Sequence, residues 1–121
     1  MTSSSINSPV AVVTGGARGI GLAIGNWFLA HDYRVALIDI DAETLSQTAK
    51  TLNNSERVLS IHSDVSKPDQ VQAAVEQIEK KFGRIDALVN NAGVAVFKPI
   101  GETTFEEFRH VLGTNLDGAF L

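Results

Sequence analysis

The chain has 121 residues, a formal net charge of -4 and no cysteine. That length allows one small domain. The negative balance excludes an electrostatic nucleic-acid footprint, and the lack of thiols excludes disulfides and cysteine-ligated zinc and suits a cytoplasmic protein. The polar start MTSSSINSP has neither the basic residues nor the apolar run of a secretory signal, and no stretch is long enough to span a bilayer, so no membrane partner is expected. Residues 1–9 read as a disordered polar tail.

VAVVT, residues 10–14, is a short β-branched run that ends in glycines, the pattern of a strand buried on both faces. Ile20, Ala23, Ile24, Trp27 and Phe28 then fall on one stripe of a helix. RVALID, residues 34–39, reads as a second buried strand. Asp41 is placed to cap the next helix, with Leu45, Ala49 and Leu52 inward and Asn53 and Asn54 at its end. RVLSIHS, residues 57–63, reads as a third strand. Ser66 with Asp69 resembles a capping box, and Pro68 sits in the first turn, where it is tolerated. Val71, Ala74, Val75, Ile78 and Phe82 form the stripe of a long amphipathic helix, with Gly83 at its C-cap. RIDALVN, residues 84–90, reads as a fourth strand. Thr104 and Glu107 form a second capping-box pattern, before a helix that carries Phe105, Phe108 and Leu112 inward.

Strands alternating with helices indicate an α/β domain around a doubly wound parallel sheet. Right-handed crossovers and strand order 3-2-1-4 put the first two helices on one face and the third on the other. The switch point then falls between strands one and four, beside the first glycine-rich loop. No internal repeat or interdomain linker interrupts the pattern.

That loop, TGGARGIG (residues 14–21), lies between a strand and a helix. Gly15, Gly19 and Gly21 permit a tight turn, close approach of backbone to a ligand and close helix packing. The helix start, at Gly19, Ile20 and Gly21, aims free N–H groups and a positive dipole end at an anion such as a pyrophosphate. Asp39 closes the second strand, where a carboxylate can accept hydrogen bonds from both hydroxyls of an adenosine ribose and repel a 2′-phosphate. Arg18 pulls the other way, since a guanidinium there tolerates a phosphate. The balance favours NAD as cofactor, with NADP disfavoured.

These features resemble the short-chain dehydrogenase/reductase family over residues 10–121, and the resemblance implies a Rossmann-type fold. The family's T-G-x-x-x-G-x-G motif is met by Thr14, Gly15, Gly19 and Gly21. Asp64 and Val65 stand where the family contacts adenine. Asn90, Asn91, Ala92 and Gly93 match the N-N-A-G motif that steadies the sheet and lines the cofactor site. Asn115 matches the asparagine of the catalytic Asn-Ser-Tyr-Lys tetrad, a residue taken to distort its helix and hold a water in the proton relay. Independently, Asn115 stands three after Leu112 and four after Val111, so it falls on the apolar side, where an amide needs partners.

The rest of that tetrad has no match. Tyr33 is the single tyrosine, and the residue four after it is Leu37 rather than lysine. The stripe Phe105, Phe108, Leu112, Leu116 and Phe120 runs to the last residues. The expected reading is the cofactor-binding N-terminal part of such an enzyme, ending before a fifth strand and inactive alone. Its parent would exchange hydride between a nicotinamide and a small alcohol or ketone. The alternative is a non-catalytic dinucleotide-binding or interaction module. An unpaired fourth strand predicts self-association or a homo-oligomer. The three histidines (His31, His62 and His110) lack metal spacing and read as solvated or structural, so no metal is expected. Trp27 and the phenylalanines read as core, Gly25 as a close-packing position, and the loop Val94 to Thr103 as the near wall of a substrate site.

Overall fold

The computed structural model describes residues 7–121. Four strands alternate with helices: β1 (Val10–Thr14), α1 (Gly19–Ala30), β2 (Arg34–Asp39), α2 (Ala42–Leu52), β3 (Val58–His62), α3 (Pro68–Phe82) and β4 (Ala87–Val89). A short 3-10 turn, Ile100–Glu102, leads into α4 (Phe105–Leu112). A π-helical turn, Gly113–Asp117, then joins α4 to α5 (Gly118–Phe120). The third and fourth strands are shorter than their sequence runs suggest. Residues 84–86 precede β4 as irregular backbone, where Asp86 takes a bidentate bond from the Arg84 guanidinium while its carboxylate accepts the Val10 N–H.

The sheet is parallel in the order β3-β2-β1-β4. Val10 pairs with Arg34 and Thr14 with Ile38, Ala11 pairs with Ala87, and Asp39 with His62. The strand residues alternate between two cores. Val10, Val12, Ala36, Ile38 and Ile61 pack with Ala74, Ile78 and Phe82 of α3. Val13, Val35, Leu37 and Val58 pack on the other face with Leu45 of α2 and with Ile24 and Phe28 of α1. Thus α1 and α2 share one face and α3 covers the other, as right-handed crossovers require. The register also brings the C-terminal ends of the strands to one edge, where open α/β sheets hold ligands.

The helix ends follow local chemistry. The Asp41 carboxylate accepts the Thr44 N–H at 3.1 Å, Asn53 and Gly83 close α2 and α3 in the left-handed conformation, and Thr104 and Glu107 form the reciprocal box. The box expected of Ser66 and Asp69 does not form. Lys67 is the N-cap of α3 without a side-chain bond, because the Ser66 N–H and hydroxyl are both taken by Asp64 Oδ1, at 2.9 and 2.6 Å.

The expected stripe of α1 is rotated. Ile20 and Trp27 are exposed, as is Ala23, and the fully buried positions are Gly21 and Gly25. A flush glycine face lets the helix lie close on the sheet; a Cβ at Gly25 would come within 2.9 Å of Leu37 Cδ2. Of the aromatics expected in the core, Phe82 is buried and Phe28 half-buried. Trp27, Phe97, Phe105, Phe108 and Phe120 are exposed. Periodicity locates an apolar stripe on α4, but no other helix covers Phe105 and Phe108 among the described residues, and Leu112 is half-buried. Most of the 1–9 tail, residues 1–6, lies outside the described residues. Within the remainder Ser8 is buried, and its carbonyl accepts from the Arg34 guanidinium at 2.6 Å.

Candidate functional site

A cleft of about 320 Å3 opens at the C-terminal edge of the sheet, within the roughly 300–1,000 Å3 range of small-molecule sites. Gly15, Arg18, Asp39, Asp64, Val65, Asn91, Ala92 and Gly93 line it, brought from four separate loops. Gly19, Ile20 and Gly21 are not in its wall. They form the first turn of α1, and Ile20 is largely exposed to solvent.

The glycine loop is shaped by its backbone. Gly15 and Gly19 have φ of 66° and 58°, a conformation that side chains disfavour. A Cβ on Gly21 would overlap the Gly15 carbonyl oxygen and lie 2.6 Å from Asn91 Nδ2. Arg18, the N-cap of α1, makes no capping bond with its side chain, which leaves first-turn N–H groups for an outside acceptor.

Asp39 is fixed on the cleft wall. Its carboxylate accepts the Ala17 N–H and the Asp41 N–H, each at 3.0 Å. Opposite, burial pushes the Asp64 carboxyl up, but the Ser66 hydroxyl and N–H outweigh it, with Lys67 and His110 adding, so the group ionises below the ordinary range. Arg18 reaches Asp41 with Nη2 to Oδ2 at 3.4 Å.

The N-N-A-G segment is laced to β1. The Thr14 hydroxyl accepts the Asn91 and Ala92 N–H groups, both at 3.0 Å, and Asn91 Nδ2 donates to the Gly15 carbonyl at 3.2 Å. Asn115 is not turned into an apolar interface. It is exposed and sits within the π turn, where its side chain makes a reciprocal pair with Val94: Oδ1 accepts the N–H at 2.8 Å and Nδ2 donates to the carbonyl at 2.9 Å. Single π turns inside helices recur at functional sites.

Val94, expected as the start of a site wall, also lines the cleft, and Ile38, Ile40, Ser63, His110 and Thr114 line it without having been picked out by motif reading. His110 and Thr114 stand four apart on one helix face, which is the signal that pairs them. Ser63 is 3% exposed, and its hydroxyl has no partner among the described residues; a lone serine ending a strand leaves no pattern to find.

Positive-φ glycines, a helix start and an aspartate at the next strand end meet at the strand-end edge of a doubly wound α/β domain. The sequence profile described as short chain dehydrogenase matches residues 9–121, and the chain belongs to that family. It is 43% identical over 119 residues to 2-(R)-hydroxypropyl-CoM dehydrogenase of Xanthobacter autotrophicus, covering 94% of this chain and 48% of that protein. It is 36% identical to the NADP-dependent (R)-specific alcohol dehydrogenase of Lentilactobacillus kefiri, covering 95% and 46%. Among solved structures, 3-ketoacyl-(acyl-carrier-protein) reductase from Brucella melitensis, complexed with NADH, superposes with a TM-score of 0.88 at 32% identity, covering 97% of this chain and 48% of that one. The chain thus spans about half the length of the curated relatives it matches.

Proposed function

We propose that this chain supplies the dinucleotide-holding part of an NAD-dependent oxidoreductase acting on a small alcohol or ketone. The observation that carries the reading is the convergence of Gly15, Asp39, Asp64 and Asn91 on one cleft at the strand ends. The residues fit such a group. At Gly19 the glycine loop faces open space, Asp39 offers carboxylate acceptors, and the Ser63 hydroxyl is an unused buried polar atom on the same wall. When bound, a nicotinamide dinucleotide supplies the hydride acceptor or donor.

In this reading Gly15, Gly19, Ile20 and Gly21 set the backbone and helix start that face the pyrophosphate. Asp39 accepts from the ribose hydroxyls, Asp64 and Val65 border the adenine, and Asn91, Ala92 and Gly93 form the opposite wall. Asn115 positions that wall by clamping Val94, and it stands where the family has a tetrad asparagine. With no tyrosine-lysine pair to move the proton, the 121 residues hold the dinucleotide without turning over alcohol.

Names among the relatives support both cofactors, one NADP-dependent and one complexed with NADH. The choice of NAD for this chain rests on the Asp39 carboxylate. Titration calorimetry with NAD and NADP tests it. Tighter NAD binding is expected, and Asp39→Ala should narrow the gap. Equal affinities in the unmutated protein would sink the assignment.

Self-association and a cytoplasmic setting belong to the same proposal. β4 lies at one edge of the described sheet, with Leu88 57% exposed, and Phe105, Phe108 and Phe120 are exposed nearby in sequence. Such surfaces recruit other chains. Sedimentation velocity should show concentration-dependent association that Leu88→Lys weakens; a single monomeric species at all concentrations would contradict it.

A further inference from the structure

We propose that an apolar slot on the α3 face of the sheet is a second small-molecule site, fitted to a neutral, ring-sized apolar ligand that carries one hydroxyl. The slot has a volume of about 110 Å3 and lies between α3 and α5, against β1 and β4. Val12, Val71, Ala74, Ile78, Leu88 and Ala119 supply much of its lining. Among the described residues no titratable side chain lines it, so a charged ligand would lose its hydration with no ion to pair it.

The second observation is Ser63, which also lines the slot. It is 3% exposed, and its hydroxyl has no hydrogen-bond partner among the described residues. The Ser63 N–H donates to the Asp39 carbonyl at 3.0 Å, so the ladder runs one residue past β3. Alternation then puts Ser63 on the face of Leu59 and Ile61, which is the α3 side. The other polar groups of the lining are accounted for. The Thr14 hydroxyl is taken by the Asn91 and Ala92 N–H groups and the Val89 carbonyl, and Asn90 is open to solvent.

A buried hydroxyl without a partner is costly, and a ligand that bonds it recovers that cost. A lone water suits the slot poorly, since an ordered buried water needs about two to four polar partners. A ring with one hydroxyl meets both demands, apolar contact along α3 and a single bond at Ser63. An apolar cavity of roughly 150 Å3 admits benzene. This slot is smaller, but its lining at Leu88 and Ala119 is exposed, so a ring need not be wholly enclosed. Ile38, Ser63 and Val65 line both the slot and the dinucleotide cleft. Residues that line only one of the two therefore locate a ligand: Leu88 and Ala119 for the slot, Gly15 and Gly93 for the cleft.

The test is an amide NMR titration of the 121-residue chain with phenol and, separately, with benzene. Saturable shifts are expected at Leu88, Gly118 and Ala119 with both ligands. Ser63→Ala should weaken phenol by about two- to tenfold, the range of one net hydrogen bond, and leave benzene unchanged. Because that substitution removes a hydroxyl with no partner, the free variant should melt no lower than the parent. Ala119→Leu adds bulk at an exposed position of the lining and should weaken both ligands alike. Shifts centred on Gly15 and Gly93 would place the ligand in the cleft and overturn the proposal. So would the absence of saturable shifts, equal weakening of phenol and benzene by Ser63→Ala, or unchanged binding in Ala119→Leu.

Discussion

Replacing Thr14 with valine should loosen the cleft from inside the sheet. The hydroxyl is nearly buried, accepts the Asn91 and Ala92 N–H groups at 3.0 Å each, and donates to the Val89 carbonyl at 3.4 Å. Valine keeps the shape and removes all three bonds. An orphaned buried N–H costs about 1–3 kcal/mol. These two are only partly buried, so the lower half of that range applies, about 2–4 kcal/mol for the pair. The added methyl returns less than about 1 kcal/mol. A net loss of roughly 2 kcal/mol is a large share of the about 5–15 kcal/mol that holds a domain folded. The urea midpoint should fall by about 1 M, and amide exchange should accelerate at Asn91 and Ala92 before it does in β1. Thr14→Ser, which keeps the hydroxyl, should recover most of both. A valine variant as stable as the parent, with unchanged exchange at those two amides, would refute the claim that this hydroxyl ties the loop to the sheet.

Two further outcomes follow from the same geometry. Gly21→Ala should drive its methyl into the Gly15 carbonyl and the Asn91 amide, destabilising the chain by about 1–3 kcal/mol and weakening nucleotide binding more than threefold in calorimetry; unchanged binding would show that the turn can give. The Glu107 carboxyl is held down to about 2, first by its bond with Lys98 and then by the Thr104 N–H. A depressed acid stabilises the fold above its ordinary value of 4.5 and loses that contribution as pH falls toward 2. Carbon NMR titration should place the Glu107 midpoint near 2, with Lys98→Ala raising it; a midpoint near 4.5 in the unmutated chain would remove the Lys98–Glu107 pair as its cause.

Much of the fold is legible because its signals are local. A β-branched run ending in glycine marks β1, a short apolar run ending at Asp39 marks β2, and Asp41, Asn53, Gly83 and Thr104 mark helix ends through single side-chain or backbone requirements. The cleft is legible for a related reason: Gly15, Asp39 and Asn91 each sit where a strand ends, and a parallel sheet brings such ends together. What escaped depends on partners distant in sequence. Gly21 and Gly25 read correctly as close-packing positions, but they carry no hydrophobic signal, so periodicity alone put Ile20 and Trp27 on the inward stripe with Ile24 and Phe28. Ser66 looked free to cap α3, but Asp64 had prior claim on it. The apolar stripe of α4 was real as a pattern, yet a pattern does not say what covers it. His110 carries no motif and enters the cleft only because α4 runs past Asp64.

The polar side chains around the cleft act largely on backbone. Thr14 binds two amides, Asn91 a carbonyl of the glycine loop, Asn115 both groups of Val94, and Thr48 the Ala17 carbonyl at 2.5 Å. Asp39 belongs to this set as well, since it holds the Ala17 and Asp41 N–H groups. Removing any of them shifts a segment of wall in addition to deleting a contact. A fall in absolute affinity for one nucleotide therefore does not distinguish a ligand contact from a displaced loop. On the proposed reading the ratio of NAD to NADP affinity does, because displacement of a wall shared by both nucleotides would weaken both while the 2′-phosphate distinguishes only one. For Asp39 that ratio is the informative quantity, and for Thr14 and Asn115 it should stay constant while both affinities fall.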